Sequence, residues 1–256
     1  MPLSHTVHVR FYGPLRDFLP PERRGRRFPC QIKGCPAVKD TLEALGVPHV
    51  EVDVILINRV SRGFSHQLAE GDIIQVYPTG RAPGADRLIR LSPPPPALKF
   101  VVDSHLGKLV RHLRLLGFDS CYRKLFPDAD IAALAARQRR IVLTRDKGLL
   151  KYRCLRWGYW VRSPDPDEQI REVAERFSLR RSARPFSLCV ECNGRIEPVR
   201  KSEVAGRLPP RTRAFYRRFY RCRRCRRVYW RGSHYAKMML FLRRLERRRA
   251  PSRGAA

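Results

Sequence analysis

The sequence has no long apolar run and few acidic residues. No stretch approaches 18 consecutive apolar residues, which excludes a typical transmembrane helix. The N-terminus alternates polar and apolar residues and has no apolar core of a secretory signal peptide, so we expect none. Of 256 residues only 23 are Asp or Glu, against 54 Lys and Arg, and the formal net charge is +31. A chain this basic favours a polyanionic partner, and nucleic acid is the natural one.

The cysteines do not follow the pattern of a secreted disulfide scaffold. Half of the eight cysteines form two C-x-x-C pairs, and the rest have no partner at a paired spacing. This usage favours a reducing, cytoplasmic compartment. The cysteines without paired spacing are Cys30, Cys35, Cys121 and Cys154.

The positive charge is concentrated in the last third of the chain. Residues 176–256 hold 25 Lys and Arg against 4 Asp and Glu, a net charge of +21. Two explanations are open. A GC-rich genome favours arginine over lysine throughout, whereas a nucleic-acid-binding face requires the charge to cluster. The clustering around the C-x-x-C pairs favours the second explanation.

Periodicity and composition predict an α/β protein in five segments. The first alternates as strands at 7–11, 27–32, 54–57 and 73–77 around a helix at 38–45, the order of a ubiquitin-like β-grasp. Strands and helices alternate after residue 98, which predicts a three-layer α/β/α domain with a parallel sheet. The predicted segments are a β-grasp domain (1–79), a Pro-rich linker (80–97), the α/β/α domain (98–180), a zinc ribbon (181–235), and a basic helix with a disordered tail (236–256).

Two aspartates follow predicted parallel strands directly. Asp103 comes after an apolar strand that ends at Val102, and Asp146 comes shortly after the strand 141–143. In parallel sheets, ligands bind at the carboxyl ends of the strands. Carboxylates placed there can hold Mg²⁺ or Mn²⁺ beside a phosphate. The alternative is that both aspartates cap the turns that follow them.

A third carboxylate is needed to complete such a metal site. Asp128 and Asp130 are the candidates, and either can instead begin the helix that follows Pro127. Asp165 is a candidate fourth acidic ligand, with Asp167 beside it. Both also stand where a helix start favours acidic residues.

The two C-x-x-C pairs predict a second kind of metal site. Each pair turns two sulfurs toward one point, and two pairs complete a tetrahedron around zinc. A closed site with four sulfurs leaves no position for water or substrate, so its role is structural. The predicted ligands are Cys189, Cys192, Cys222 and Cys225.

Three motifs resemble the Mut-seven C-terminal RNase domain, a PIN-like nuclease with an attached zinc ribbon. They are DSHLGKLVRHLRLLGFD at 103–119, RIVLTRDKGLL at 140–150, and YWRGSH at 229–234 together with the cysteine pairs. The first segment resembles sulfur-carrier proteins of the ThiS and MoaD type, through VRFYGPLR at 9–16 and LAEGDIIQVYP at 68–78. Some members of the RNase family carry such a ubiquitin-like domain.

The resemblance implies cleavage of single-stranded RNA with Mg²⁺ or Mn²⁺. Asp103, Asp128 and Asp146 occupy the family's acidic positions. One departure is that Ser104-His105 replaces the expected Gly-Met, which changes the pocket wall. The first segment lacks the free Gly-Gly terminus of the carriers, so carrier chemistry is not expected.

Basic residues near the aspartates and in the ribbon are candidates for RNA contacts. The alternative is a solvated helix face or, for the aromatic residues interleaved with arginines in the ribbon, a small core. His105, His112 and His234 are expected to be packing or surface residues rather than ligands. The predicted RNA-binding residues are Lys108, Arg111, Arg145, Lys147, Arg217, Arg218, Arg223 and Arg224. The candidate stacking residues are Phe215, Tyr216, Phe219, Tyr220, Tyr229 and Trp230.

These patterns favour a cytoplasmic, metal-dependent ribonuclease that holds RNA with its basic ribbon and has no membrane partner. One alternative is a non-catalytic RNA-binding or translation-associated ribbon protein whose aspartates cap helices. Another is a toxin-like or regulatory protein that docks a partner protein through its β-grasp domain. Metal-dependent cleavage of RNA separates the first function from both alternatives.

Overall fold

A computed structural model describes residues 4–84, 87–232, 235 and 239–240. Contacts divide the chain into two compact units, Met1–His105 with Arg123–Val161 and Leu106–Tyr122 with Arg162–Ala256. The five segments expected from the sequence stay a prediction. Most of the predicted basic helix and tail at 236–256, and His234, lie outside the described residues.

The strands and helices follow the order expected from the sequence, with five elements that were not predicted, at Val60–Arg62, Ile196–Val199, Lys201–Val204, Pro210–Phe215 and Phe219–Cys222. In chain order they are β1 (Ser4–Phe11), β2 (Phe28–Lys33), α1 (Val38–Ala44), β3 (Val52–Ile57), β4 (Val60–Arg62), β5 (Ile73–Pro78), β6 (Phe100–Val102), α2 (Gly107–Leu115), β7 (Ser120–Cys121), α3 (Asp128–Gln138), β8 (Ile141–Thr144), β9 (Gly158–Trp160), α4 (Pro166–Arg176), β10 (Ile196–Val199), α5 (Lys201–Val204), α6 (Pro210–Phe215), β11 (Phe219–Cys222) and β12 (Val228–Trp230). Within the described residues, every helix is too short or too polar to span a lipid bilayer.

The N-terminal sheet of the first unit is a β-grasp. Its five strands lie in the order β2-β1-β5-β3-β4, with β1 parallel to β5 and antiparallel to β2. Alternate residues of β1 (Val7, Val9 and Phe11) are at most 1% exposed and pack in one core with Val38 and Leu42 of α1. Each such side chain contributes about 1.5–3 kcal/mol when it leaves water. The predicted β-grasp is therefore confirmed.

A short hairpin in the β-grasp has no clear sequence signature. Asn58 and Arg59 join β3 to β4, and both have positive φ, 51° and 69°. Two left-handed residues match the twist of a tight hairpin, and Asn-Gly is the usual pair there. Arg59 replaces the expected glycine, so β4 was not predicted.

The first unit also contains a parallel sheet whose strands end at a common edge. The order is β6-β8-β9, with Val102 opposite Leu143 and Thr144 opposite Trp160. Every residue of β6 and β8 is buried, as expected for parallel strands covered on both faces. Helix α3 packs against β6 and β8. The predicted parallel sheet is confirmed, and its carboxyl edge is the place to look for a ligand site.

The second unit joins a helical pair to a cysteine-rich ribbon. Helices α2 and α4 pack together, and Leu109, Leu113, Ile170 and Val173 are fully buried. The ribbon is an antiparallel sheet in the order β10-β11-β12. Its small core contains Val204, Leu208 and Phe219. A core of this size gives little stability by itself, so such a module needs a metal or other support.

Candidate functional site

Asp103 and Asp146 are connected at the carboxyl edge of the parallel sheet by one threonine. Thr144 Oγ1 donates to Asp103 Oδ2 at 2.7 Å and accepts from the backbone N–H of Asp146 at 2.8 Å. The N–H of Asp103 donates to the carbonyl of Leu143 at 3.0 Å, which fixes the end of β6 against β8. Thr144, which the sequence analysis missed, therefore fixes the two acidic residues relative to each other. Its position directly before Arg145-Asp146 was the available signal.

The two aspartates differ in exposure and in the bonds they already make. Asp103 is 4% exposed, and its Oδ1 accepts from Ser104 Oγ at 3.1 Å. A 3₁₀ turn at Ser104–Leu106 follows Asp103 directly and separates it from α2, whose N-cap residue is Leu106. Asp146 is exposed, and its Oδ1 accepts from the N–H of Gly148 at 2.7 Å. One oxygen of Asp146 therefore accepts a capping bond from the turn that follows it. The carboxylate of Asp103 accepts instead from the hydroxyl groups of Ser104 and Thr144.

Asp128 lies within the electrostatic field of the same two acids. Burial raises the pKa of the Asp128 carboxyl, and the charges of Asp146 and Asp103 raise it further, while His105 lowers it. Asp128 is the first residue of α3, and the N-cap position before it is Pro127, which makes no side-chain capping hydrogen bond. A bound cation would relieve the repulsion among the three carboxylates. Their oxygen atoms are the ligands that a hard divalent metal prefers.

The aspartates do not form as tight a group as the cysteines. Among the described residues, one set of three or more potential ligands has all its donor atoms within 4.8 Å, and it is the four cysteines. Asp130 is exposed on the first turn of α3. A metal bound by Asp103, Asp128 and Asp146 would draw these carboxylates closer together.

Asp165 has a defined structural role in the second unit. Its Oδ1 accepts from the N–H groups of Asp167 and Glu168, both at 2.9 Å, so it is the N-cap of α4. Capping uses one carboxylate oxygen and leaves the other uncommitted to this turn. The assignment of Asp165 as a fourth acidic ligand stays a prediction.

Lys147, next to Asp146, rests on two aromatic rings. Its Nζ lies 4.2 Å from the ring centroid of Trp160 and 5.4 Å from that of Phe18. Trp160 Nε1 also donates to the carbonyl of Arg145 at 3.2 Å. The basic loop around Asp146 is therefore held by cation–π contacts and by a hydrogen bond to its backbone.

The predicted basic residues of α2 lie in the second unit. Lys108 is exposed, and Arg111 donates to both carboxylate oxygens of Glu191 at 3.0 and 3.3 Å. Glu191 lies between the two cysteines of the first C-x-x-C pair. Arg111 therefore contacts the ribbon, a partner that its sequence position did not indicate.

The four predicted zinc ligands come together in the ribbon. Their sulfurs all lie within 4.8 Å of one another, with Cys189 to Cys225 at 3.6 Å and Cys192 to Cys222 at 3.4 Å. Both pairs form the same turn, because the N–H of Asn193 donates to Cys189 O and the N–H of Arg226 donates to Cys222 O. Asn193 and Arg226 have positive φ, 64° and 61°. The cluster can hold a metal ion, and a set of four sulfurs in two such turns suits zinc.

Gly194 leaves the room that the sulfurs need. A Cβ at this position would lie 2.9 Å from Cys222 Sγ, 3.3 Å from Cys192 Sγ and 2.8 Å from the Cβ of Arg224. Any side chain would push the two pairs apart. Tyr229 supports the cluster on another side, with its hydroxyl 2.9 Å from Cys189 Sγ. Burial opposes ionisation of Cys189, but hydrogen bonds from Tyr229 and the backbone lower its pKa to about 7.

A buried arginine attaches the first cysteine pair to α2 and β7. Arg114 is 6% exposed and donates to the carbonyls of Ser120, Val190 and Glu191 at 2.7–3.1 Å. Burial lowers the pKa of Arg114, while the thiols of Cys121, Cys189 and Cys192 and the carboxylate of Glu191 oppose this shift. The guanidinium would therefore offset the negative charge of these thiols in their ionised, metal-bound form. Sequence spacing gave no indication of this role.

Asn193 makes a second connection between the ribbon and β7. Its side chain accepts from the N–H of Ser120 at 3.1 Å and donates to Asp119 Oδ1 at 2.7 Å. Nearby, the N–H of Arg184 donates to the carbonyl of Leu116 at 2.8 Å. The ribbon and the α2–β7 segment are therefore joined by partly buried polar contacts.

A cavity of about 1170 Å³ in the second unit combines aromatic and basic side chains. Tyr216, Tyr220 and Trp230 line it and are half-buried, whereas Phe215 at its rim is 80% exposed. Phe219, another candidate stacking residue, is 2% exposed and belongs to the ribbon core. The lining arginines are Arg111, Arg211, Arg227 and Arg231.

The four ribbon arginines predicted to bind RNA are all exposed. Arg217 and Arg218 precede β11. Arg223 pairs with Glu197, and Arg224 Nη1 donates to the carbonyl of Cys192 at 3.3 Å. The last two residues therefore also support the ribbon, so Arg217 and Arg218 are the cleaner positions for a binding test.

The architecture agrees with that of the RNase class that the sequence resembles. It combines a β-grasp sheet, a parallel sheet with acidic residues at its strand ends, and a four-cysteine ribbon. The family profile described as "Mut7-C RNAse domain" matches residues 98–242, and the profile "Mut7-C ubiquitin" matches residues 4–83. The first match covers more than half of the chain. The chain belongs to the Mut7-C RNase domain family, which confirms the resemblance seen in the motifs.

The structural comparison also finds a similar protein for part of the chain. The putative molybdopterin converting factor, subunit 1, from Pyrococcus furiosus aligns with 29% of this chain and 97% of its own length, at 18% identity and a TM-score of 0.24. The search of curated protein sequences found no match.

Proposed function

We propose that this protein is a ribonuclease that hydrolyses RNA phosphodiester bonds with Mg²⁺ or Mn²⁺ held by Asp103, Asp128 and Asp146. Membership of the RNase family supports the RNase class. The observation that carries the metal-dependent reaction is the connection of Asp103 to Asp146 through Thr144 at the carboxyl edge of the sheet. Hydrogen bonds from two hydroxyls orient the buried Asp103 carboxylate, and such outer-sphere support is typical of a metal ligand.

The three aspartates would hold the metal with carboxylate oxygens only, which suits a hard cation. When bound, the metal supplies Lewis-acid chemistry that activates water and stabilises the leaving oxygen of the phosphodiester. Thr144 keeps Asp103 oriented by donating to its Oδ2. Lys147 supplies positive charge beside Asp146, where a phosphate would approach, and Trp160 limits how far its ammonium can move.

The ribbon is the proposed holder of the RNA. The last third of the chain, residues 176–256, carries +21 of the net charge of +31, and the ribbon arginines at 217, 218, 223 and 224 are exposed. The aromatic lining of the neighbouring cavity can stack on unpaired bases, while arginines neutralise phosphates. This arrangement favours single-stranded RNA, because paired bases do not present their faces.

The same ribbon also supports the alternative of RNA binding without cleavage. Its charge and aromatic residues would bind RNA whether or not the aspartates hold a metal. Docking of a partner protein through the β-grasp domain stays a prediction. Cleavage that depends on the metal decides between the proposal and the alternatives.

The test is cleavage of labelled single-stranded and structured RNA by the full chain, with and without Mn²⁺. We expect Asp103→Asn and Asp146→Asn each to lower the rate at least about 100-fold, more than the loss of an outer-sphere partner costs. Asp130→Asn is the matched control, since Asp130 is an exposed carboxylate near the site, and it should cleave normally.

The comparison of Asp128→Asn with Asp130→Asn identifies the third acidic ligand. Circular dichroism must show that each variant is folded. Near wild-type cleavage by Asp103→Asn or Asp146→Asn at low Mn²⁺ would show that the catalytic assignment is wrong. RNA binding without any cleavage by the wild-type protein would favour the non-catalytic alternative.

A further inference from the structure

The β-grasp sheet and the parallel sheet share an interface inside the first unit. The 3₁₀ helix His49–Glu51 precedes β3 of the β-grasp and packs on β9 and on the turn Leu149–Lys151. At the centre of this interface a Cβ on Gly158 would lie 2.9 Å from Val50 Cγ2. The side chain of Val50 therefore packs directly on the backbone of Gly158, and Leu150 Cδ2, 2.7 Å from the same Cβ position, fills the rest of the space, so the contact depends on a glycine in β9.

Polar bonds fix the same interface at three places. His49, 9% exposed, has its Nε2 3.0 Å from the carbonyl of Leu155. Lys151 Nζ donates to the carbonyl of Glu43 at 2.8 Å. Glu51 is 2% exposed, and its Oε1 accepts from the N–H of Trp160 at 2.7 Å. A buried polar group that loses such a partner is left without its hydrogen bond and destabilises the fold, so these bonds make the interface specific.

On the side of the parallel sheet, this interface contains a residue, Trp160, that contacts both neighbours of Asp146 in the chain. Trp160 lies opposite Thr144 in the sheet and donates its indole N–H to the carbonyl of Arg145. Its ring lies 4.9 Å from that of Phe18, a β-grasp residue, and Lys147 rests on both rings. The β-grasp is thus connected to Arg145 through Trp160, and to Lys147 through both Trp160 and Phe18.

We propose that the β-grasp domain acts as an internal brace for the loop that carries Asp146, with Glu51 and Trp160 as its positioning residues. Glu51 fixes the backbone of Trp160, and Trp160 fixes Arg145 and Lys147 on either side of the acidic residue. The domain therefore serves the candidate site within its own chain. This role requires no Gly-Gly terminus and no transfer of sulfur, which agrees with a chain that continues past the β-grasp.

The test compares two buried carboxylates of the β-grasp. Glu51→Ala removes the acceptor for Trp160. Asp72→Ala is the matched control, because Asp72 is also buried, at 7% exposure, but it accepts from Asn58 and from the N–H of Ala69 within the β-grasp. Both variants lose a buried acceptor, and only the first should affect the loop. Hydrogen exchange of the amides at 145–151 reads this out without any need for activity.

We expect Glu51→Ala to speed exchange at 145–151 at least tenfold at a temperature where the fold is intact. Asp72→Ala should leave that segment unchanged, and Glu51→Gln should restore protection because its amide oxygen can still accept. Trp160→Phe is a milder second variant if Glu51→Ala does not fold. It keeps a ring for Lys147 but loses the bond to Arg145, and it too should speed exchange there. Unchanged exchange in Trp160→Phe and in folded Glu51→Ala, or equal effects in Glu51→Ala and Asp72→Ala, would overturn the brace.

The kinetic part of this inference rests on the proposed ribonuclease function. With Mn²⁺ and RNA, Glu51→Ala should lower kcat about tenfold with little change in KM, since RNA binding by the ribbon is untouched. A loss of stability alone would lower the active fraction equally in Asp72→Ala. If the wild-type protein cleaves no RNA, the proposed function fails, while the exchange experiment still decides whether the brace exists.

Discussion

The aspartate and cysteine sites differ in how completely the protein encloses them. The cysteine sulfurs already lie within 4.8 Å of one another, in two turns of the same form with room made by Gly194. The aspartates are spread over two strand ends and a helix, and Asp146 is exposed to solvent. A closed set of soft ligands suits a structural ion, whereas an open set of hard ligands leaves positions for water and substrate. The degree to which the protein encloses its ligand atoms therefore distinguishes a site suited to a structural metal from one suited to catalysis.

Removal of the metal from the cysteine site should give the largest effect. We expect a chelator, or Cys222→Ser, to unfold the ribbon, because a structural zinc ion can contribute about 10–16 kcal/mol of apparent binding energy to such a module. Hydrogen exchange should also rise in α2 and β7, since Arg114 and Asn193 connect them to the first cysteine pair. The β6-β8-β9 sheet should keep its protection.

Cys154→Ser is the control for this experiment, because Cys154 is an exposed cysteine outside the cluster. It should leave both the metal content and the exchange pattern unchanged. Elemental analysis of freshly purified protein should find one zinc per chain. Protein without zinc that nevertheless has a fully protected ribbon would contradict the structural role.

Features of these sites that depend on neighbouring residues in the chain could be predicted from the sequence, and features that depend on distant residues could not. Strand-end aspartates and C-x-x-C pairs are local patterns, so their residues and the strands that carry them were identifiable. Arg114, Asn193 and Trp160 act through contacts with residues about 15 to 110 positions away in the chain. No local periodicity records such contacts. Membership of the family identifies the domains, but these connections become visible only in the folded chain.

The β-grasp region shows the same limit. Its strands were predicted from alternation, because burial of one sheet face imposes that period. Its contact with β9 depends on Gly158, which in sequence is an ordinary glycine between two aromatic residues. The Pro-rich segment that follows the β-grasp is also more ordered than its composition indicates. Arg90 donates to the side chain of Asp53, and the N–H of Leu91 donates to the backbone carbonyl of Asp53.

RNA affinity should show an intermediate effect that separates the ribbon from the aspartate site. We expect Arg217→Gln with Arg218→Gln to weaken RNA binding and to reduce the log-log salt slope by about 1.4, because each phosphate contact to a single strand contributes roughly 0.7. Cleavage at saturating RNA should change little. Binding is measured by fluorescence anisotropy over a range of salt concentrations.

Arg26→Gln with Arg27→Gln is the matched control for charge. These two adjacent arginines are exposed in the β-grasp region of the first unit and give the same change in net charge. An equal reduction of the slope in the two double variants would mean that the arginine excess acts only through total charge. An unchanged slope in both would exclude Arg217 and Arg218 from the RNA path.

The smallest effect is expected at Asp128, whose behaviour connects charge repulsion to metal binding. Burial, with the charges of Asp146 and Asp103, raises the pKa of this carboxyl in the folded chain. Folding therefore favours its protonated form, and that contribution to stability is lost as pH rises through the folded pKa. We expect Asp128→Asn to stabilise the metal-free protein near neutral pH by a few tenths of a kcal/mol, the scale of one exposed charge pair. The advantage should disappear at acidic pH, where the wild-type carboxyl is protonated.

With added Mn²⁺ the wild-type protein should become the more stable of the two. It binds the ion, which relieves the repulsion among the carboxylates, whereas the Asn variant has lost one of the carboxylates that would bind it. Thermal unfolding at several pH values, with and without Mn²⁺, measures both parts. Asp130→Asn should show neither the gain without metal nor the loss with it, since Asp130 is an exposed residue of α3 that is not among the three proposed ligands. If Mn²⁺ stabilised wild-type and Asp128→Asn proteins equally, Asp128 would not be a metal ligand. The third acidic position would then have to come from elsewhere in the chain.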